Sequence, residues 1–369
     1  MVEWKRLGEV CTFNRGKTIT AKNAVDGDVP VIAGGQAPSY YHNKSNRTGE
    51  SITVAGSGAY AGFVSYWNKP IFVSDAFTVD PSNTLLHLYL FHWLKNNQKR
   101  IFDTQKGAGV PHVHGKDIAN FVIPIPSLQE QNRIVGILDI FTKAIDNLKQ
   151  EIDNRKKQYE YYRDQLLNLE GKSGVEMKSL GELFTFKNGL NKGKEFFGKG
   201  KPIIMFTNVF NSRYIKSSMI KSKVDISQKE LERIDAHIGD VFFTRTSETQ
   251  EDVGYASVLI EDIKECTFAG FLIRARPITE RLLPEYCKYC FSVPSVRQAI
   301  VANSSFTTRA SLTGNGLGKV VLPIPSIPEQ SHIVSILDRF EASISNMEQQ
   351  MAQRQRQYEY YRNKLLTFE

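Results

Sequence analysis

The sequence predicts an α+β protein. Two mixed α/β globules alternate with two long helices, and the helices pair as an intramolecular antiparallel coiled coil with pseudo-twofold symmetry. Three observations predict it. Residues 124–169 and 323–368 align without a gap at an offset of 199 and share 24 of 46 positions. Both copies carry apolar residues at alternating steps of four and three, a 3.5-residue period that marks a coiled-coil seam. The net charge of +8 lies outside these two stretches. Residues 1–126 hold 13 basic against 9 acidic residues, and residues 171–325 hold 22 against 16. The stretches 127–170 and 326–369 are each one charge negative. The expected domains are therefore 1–126, 127–170, 171–325 and 326–369.

The first globule opens with Trp4-Lys-Arg-Leu-Gly-Glu-Val, followed by Phe13 and Gly16. Its strand-like runs are Ser51–Ala55, Gly62–Trp67 and Ala76–Val79. Leu85–Asn96 carries Leu86, Tyr89, Leu90, Trp93 and Leu94 at helical spacing. Polar, glycine-containing loops lie between these runs, at Ala33–Tyr41, Ala55–Ala61 and Lys106–Lys116.

The first long helix follows Pro-Ile-Pro-Ser. Ser127 is the expected N-cap, and Glu130, three residues on, completes a capping-box pattern. Its expected seam is Ile134, Leu138, Phe141, Ile145, Leu148, Ile152, Arg155, Tyr159, Tyr162, Leu166 and Leu169. About 40 residues at 1.5 Å each make a rod of roughly 60 Å. Arg155 sets the register of the seam or snorkels outward on its stem.

The second globule repeats the opening as Met177-Lys-Ser-Leu-Gly-Glu-Leu, then Phe186 and Gly189. The offset here is 173, so this globule has 26 extra residues, placed around Lys216–Ile238. Strands are expected at Pro202–Phe206, Asp240–Thr244, Tyr255–Ile260 and Thr267–Ala275, and helices at Pro284–Phe291 and Ser295–Ala302. Its polar loops are Met205–Tyr214, Thr244–Asp252 and Ser304–Asn315. The second long helix repeats the first, with Ser326 and Glu329 at its start. Its seam is Ile333, Leu337, Phe340, Ile344, Met347, Met351, Arg354, Tyr358, Tyr361, Leu365 and Phe368.

The chemistry this sequence lacks narrows its function. It has no Gly-x-x-x-x-Gly-Lys-Ser/Thr loop for ATP phosphates and no adenine-methyltransferase tetrapeptide. Cys287-x-x-Cys290 has no second ligand pair at zinc spacing and is expected in the core. Two basic globules with matching polar loops instead suggest a polyanion read at two places, with Lys and Arg on phosphates and Gln, Asn, Ser, Thr and Arg on base edges. By residue type the DNA-binding candidates are Gln36, Tyr40, Lys106, His112, His114 and Lys116 in the first globule. In the second they are Asn208, Arg245, Thr246, Ser247, Thr308 and Arg309. Neither a catalytic residue nor a metal ligand is expected. No apolar run reaches membrane-spanning length and the start lacks a signal-peptide core, so a cytoplasmic chain is expected.

The twofold plan, the Leu-Gly-Glu then Phe-x-x-Gly openings, the Pro-Ile-Pro-Ser-x-x-Glu-Gln helix starts and the Gln-Tyr-Glu-Tyr-Tyr-Arg stretches together resemble the specificity subunit of type I restriction–modification systems. The resemblance covers the whole chain. It implies that each globule is a target-recognition domain reading half of a bipartite DNA sequence. The helices would set the gap and dock two modification (methyltransferase) subunits, through which restriction (translocase–nuclease) subunits join. It further implies no cofactor on this chain, S-adenosylmethionine on the modification subunits, and ATP and Mg on the restriction subunits. A recognition scaffold employed outside restriction, a fused enzyme and a purely structural adaptor are the rival readings.

Overall fold

A computed structural model describes residues 2–368. The chain divides into two compact units, residues 1–152 with 346–369 and residues 153–345.

In the first unit, Glu3–Arg6 and Val122–Ile125 pair antiparallel and close the globule, with Trp4 opposite Pro124. A four-stranded antiparallel sheet runs in the order Cys11–Arg15, Ala76–Pro81, Glu50–Ala55, Val64–Asn68. A smaller sheet sets Val29–Ile32 between Tyr40–His42 and Phe72–Val73, the last pair parallel. Helix His87–Asn96 buries Tyr89, Leu90, Trp93 and Leu94. These side chains share a core with Ile134, Leu138 and Ile145 of one long helix and Tyr358 and Leu366 of the other. Phe141 stacks on Tyr361 with centroids 5.3 Å apart.

The second unit is built on the same plan. Glu176–Ser179 pairs with Val321–Ile324. Its main sheet runs Phe184–Asn188, Leu272–Pro277, Val241–Thr244, Ala256–Leu259, with Tyr214–Ile215 added parallel at the edge. Helices Pro284–Cys290 and Pro294–Ala302 pack on it, and Cys287 and Cys290 are buried in the core. That core also takes in Ile333 and Leu337 from one long helix and Tyr159 and Leu167 from the other. Tyr162, 46% exposed, stacks on Phe340 at 5.5 Å.

The long helices span Leu128–Leu167 and Ile327–Thr367. Ser127 and Ser326 accept the backbone N–H of Glu130 and Glu329, at 3.3 and 3.4 Å, as N-caps should. The glutamate that would return the bond in a capping box instead pairs, at Glu130, with Arg133. Arg155 and Arg354 each donate to a glutamine three residues on, Gln158 and Gln357, along their own helix. Leu169 and Phe368 lie beyond the helix ends, although Leu169 is buried.

Two sequence expectations are corrected. Thr267–Ala275 is not one strand. Thr267–Phe268 pairs parallel with Phe197–Ile204, the chain turns through Ala269–Phe271, and Leu272–Pro277 joins the main sheet. The strand expected at Pro202–Phe206 begins earlier and ends at Ile204, and Phe206–Phe210 is helical. The extra segment holds the short strand Lys223–Val224 and the helix Gln228–Arg233, whose N-terminus has a complete capping box between Ser227 and Glu230. The hydroxyl and backbone of Ser227, with the Lys192 ammonium, hold the Glu230 carboxyl down at about 2, the lysine bond being the largest influence.

Candidate nucleic-acid interface

Each unit presents a shallow hollow beside a backbone frame that is the same in both, as matching backbone bonds show. Val113 N–H donates to Gly56 O at 3.0 Å, and Leu312 N–H to Arg245 O at 2.9 Å. Gly56 N–H donates to Asp75 O, and Arg245 N–H to Phe271 O. His112 bridges Ser57 and Lys106, while Ala310–Ser311 pairs with both Thr246–Ser247 and Ser305–Phe306. Gly16 and Gly189, just past the strands Cys11–Arg15 and Phe184–Asn188, permit this packing. A Cβ at Gly16 would lie 2.3 Å from Ser74 O, and one at Gly189 2.1 Å from Ala269 O. Only the residue without a side chain lets the opening strand run this close to the turn that forms the hollow's edge.

The linings differ. The first hollow, about 250 Å³, is lined by Phe13, Arg15, Asp75, His112, His114 and Lys116, among others. The imidazoles of His112 and His114 lie parallel with centroids 6.4 Å apart. Lys106 donates to Asp117 at 2.8 Å, and this bond holds the Asp117 carboxyl below its ordinary range. The second hollow, about 450 Å³, has an aromatic wall of Phe206, Phe210 and Phe271 and a polar rim of Thr246, Ser247, Glu248, Thr249, Asp252 and Arg309. Phe271 is 61% exposed.

The structure therefore gathers His112, His114 and Lys116 at one hollow and Thr246, Ser247 and Arg309 at the other. Gln36 and Thr308 are exposed on loops, and Lys106 is exposed beside the first hollow. Three candidates are occupied by the chain's own backbone. The Tyr40 hydroxyl donates to Ile19 O at 2.6 Å. The Asn208 carboxamide accepts from Met205 N–H and donates to Met219 O, at 2.8 and 2.9 Å, so it fixes a turn. Arg245 reaches toward Gly270 O at 3.5 Å.

Sequence reasoning missed Arg15, Asp75, Phe206, Phe210 and Phe271. Arg15, Asp75 and Phe271 come from a strand or turn outside the expected loops, while Phe206 and Phe210 lie within the expected loop Met205–Tyr214, on a short helix that residue type did not mark. The basic count of residues 171–325 also includes cations that serve the fold. Arg276 makes two 2.8 Å bonds to the buried Asp240, Arg274 is buried against Asp235, and Lys288 pairs with Asp338 and Glu341. Among the described residues no group of acidic, histidine and cysteine side chains could hold a metal. No described helix is long and apolar enough to cross a membrane.

A family profile described as the type I restriction modification DNA specificity domain matches residues 1–155 and again residues 172–354. The chain belongs to this family. A type I restriction enzyme specificity subunit of Escherichia coli is 28% identical over 407 residues, spanning all of this chain and 94% of its own length. A putative type I restriction enzyme specificity subunit of Haemophilus influenzae is 27% identical, spanning all of this chain and 96% of its own. Among solved structures, the type I restriction–modification S subunit of M. genitalium superposes with a TM-score of 0.63 at 17% identity, covering all of this chain and 97% of that one. This last likeness is one of fold. The two matches of the profile fall on the two repeats, and each contains one of the two hollows described.

Proposed function

We propose that this specificity subunit reads a bipartite double-stranded DNA target. Residues 1–126 contact one half-site and residues 171–325 the other, each through its hollow and the loops around it. Residues 127–170 and 326–369 pair as an antiparallel coiled coil that fixes the gap. Half-sites one helical turn apart, roughly 34 Å, lie on one face of B-DNA. Joining two small readers multiplies specificity through effective concentration. The helices dock two modification subunits, which carry S-adenosylmethionine, and restriction subunits with ATP and Mg join through them. The subunit recognises and positions; its partners catalyse, in the cytoplasm.

One observation carries this reading: the same backbone frame is built twice, and beside each copy lies a hollow with a lining of its own. A duplicated frame with divergent linings is what reading two different half-sites requires. The test is co-expression with a cognate adenine methyltransferase subunit in a methylation-free host, followed by mapping of N6-methyladenine. A single asymmetric bipartite motif with a fixed gap is expected. Exchanging residues 171–325 for those of a relative should change one half and leave the other. Methylation without a bipartite motif, or an exchange that alters neither half, would refute the assignment.

A further inference from the structure

The first hollow holds an acid where a polyanion is expected to dock. Asp75 is exposed at its edge, beside Arg15, His112, His114 and Lys116. Among the described residues it forms no ion pair, despite these cations. The Ser57 hydroxyl donates to Oδ2 and so orients the carboxylate from the neighbouring loop. A carboxylate facing phosphates is repelled, so on a phosphate-binding surface it weakens binding unless it accepts a hydrogen bond from the ligand. The equivalent residue across the duplicated backbone bond is Phe271, exposed at the edge of the second hollow. The same position therefore carries an oriented acceptor in one repeat and an apolar ring in the other.

We propose that Asp75 is a base-reading residue of the first domain, accepting a hydrogen bond from the exocyclic N4 amine of a cytosine in the first half-site. Cytosine is favoured over adenine by the chemistry of the major-groove edge. Adenine sets the N7 acceptor beside its N6 amine, and that lone pair faces the second carboxylate oxygen; cytosine offers the amine alone. Ser57 is the positioning residue. This inference rests on the proposed division of the target between the two domains and adds a base to one half.

The test uses the full chain with its methyltransferase partner. Methylation is mapped in cells, and bound DNA is selected from a pool randomised in both half-sites. The wild type should require cytosine at one position of one half. Asp75→Ala should lose that requirement, with discrimination there falling about tenfold or more. Asp75→Asn keeps a partner for Ser57 and gains an amide suited to adenine, so it should move the preference toward adenine. The other half and the gap should stay the same in both variants, with unchanged circular dichroism and tryptophan fluorescence. If both variants keep the wild-type motif and merely bind every sequence more tightly, Asp75 acts only as a charge and the inference falls. Exchange of residues 1–126 for a relative's domain separates the two levels. If the exchange alters one half while Asp75→Asn alters nothing, the base assignment alone is wrong. If the exchange alters neither half, the proposed division of the target is wrong.

Discussion

Gln131 and Gln330, the last residues of the repeated Pro-Ile-Pro-Ser-x-x-Glu-Gln starts, are both 0% exposed, and each makes the same three bonds. Gln330 accepts from Leu283 N–H at 2.9 Å and donates to Arg281 O and Pro325 O at 2.8 and 2.9 Å. Gln131 accepts from Leu86 N–H and donates to Thr84 O and Pro126 O at 2.9, 2.8 and 2.9 Å. Each glutamine thus ties the start of a globule helix to the start of a long helix. Gln330→Met keeps the volume but leaves a buried N–H and two carbonyls without this partner. An unsatisfied buried group costs about 1–3 kcal/mol. Partial recovery by water at the two carbonyls leaves a loss of roughly 3–5 kcal/mol, or on the order of 10 °C in melting temperature for a unit of this size. The three tryptophans, Trp4, Trp67 and Trp93, all belong to the first unit. Gln131→Met should therefore lower a transition seen by tryptophan fluorescence. Gln330→Met should lower one seen by circular dichroism, with less effect on the fluorescence. A drop under about 1 kcal/mol for either variant would show that these bonds do not clamp the helix starts.

Two further predictions concern charge. His92 is 1% exposed, within 3.1 Å of the Tyr358 hydroxyl and 3.3 Å of Asp139, and burial pulls its pKa below the usual 6.5 despite the carboxylate. The unfolded chain therefore takes up this proton first, and the first unit should lose stability as pH falls below about 6.5. Urea midpoints at pH 7.5 and 5.5 should differ less in His92→Phe than in the wild type, and equal differences would refute the assignment. Arg309, whose side chain is 67% exposed and lies 3.8 Å from Glu248 at the rim of the second hollow, is the phosphate contact we propose there. Arg309→Ala should weaken binding to all sequences alike and reduce the salt slope by about one, whereas a changed motif would make it a base reader.

What could be read from the sequence was whatever recurs at short range. The heptads placed both long helices, and the alternating runs placed Glu50–Ala55 and Val64–Asn68 within a residue or two. Thr267–Ala275 misled because its apolar content is continuous, while Gly270 and Phe271 let the chain leave one sheet and enter another. Residue type favoured Asn208, a side chain that could read a base, yet its amide is consumed within its own turn. Asp75 was invisible for the opposite reason. It meets His112 and Arg15 only through chain reversals spanning tens of residues, and single charged residues on turns are commonplace. The helix starts mark Glu130 and Glu329 as capping residues; that the glutamine after each is buried becomes evident only when the globule, as Thr84 and Leu86 at Gln131, is brought to it.

The duplicated architecture separates what holds each domain together from what it would read. Tyr89 and Tyr286 donate to Pro124 O and Pro323 O, the buried glutamines repeat bond for bond, and Gly16 and Gly189 make the same close approach. Those residues sit in the cores or against backbone, where substitution costs kilocalories. The lining residues sit at solvent, where most substitutions cost within about 0.5 kcal/mol. His112 and His114 correspond to Ser311 and Thr313, since the bond from Val113 N–H is matched by that from Leu312 N–H. The double substitution His112→Ser, His114→Thr gives the first domain the side chains that the second carries at the equivalent backbone positions. Its melting temperature should stay within a few degrees of wild type, while the recognised sequence changes in one half only. Large destabilisation would mean that the two histidines belong to the frame; an unaltered motif with full stability would mean that the hollow is not where the first domain reads DNA.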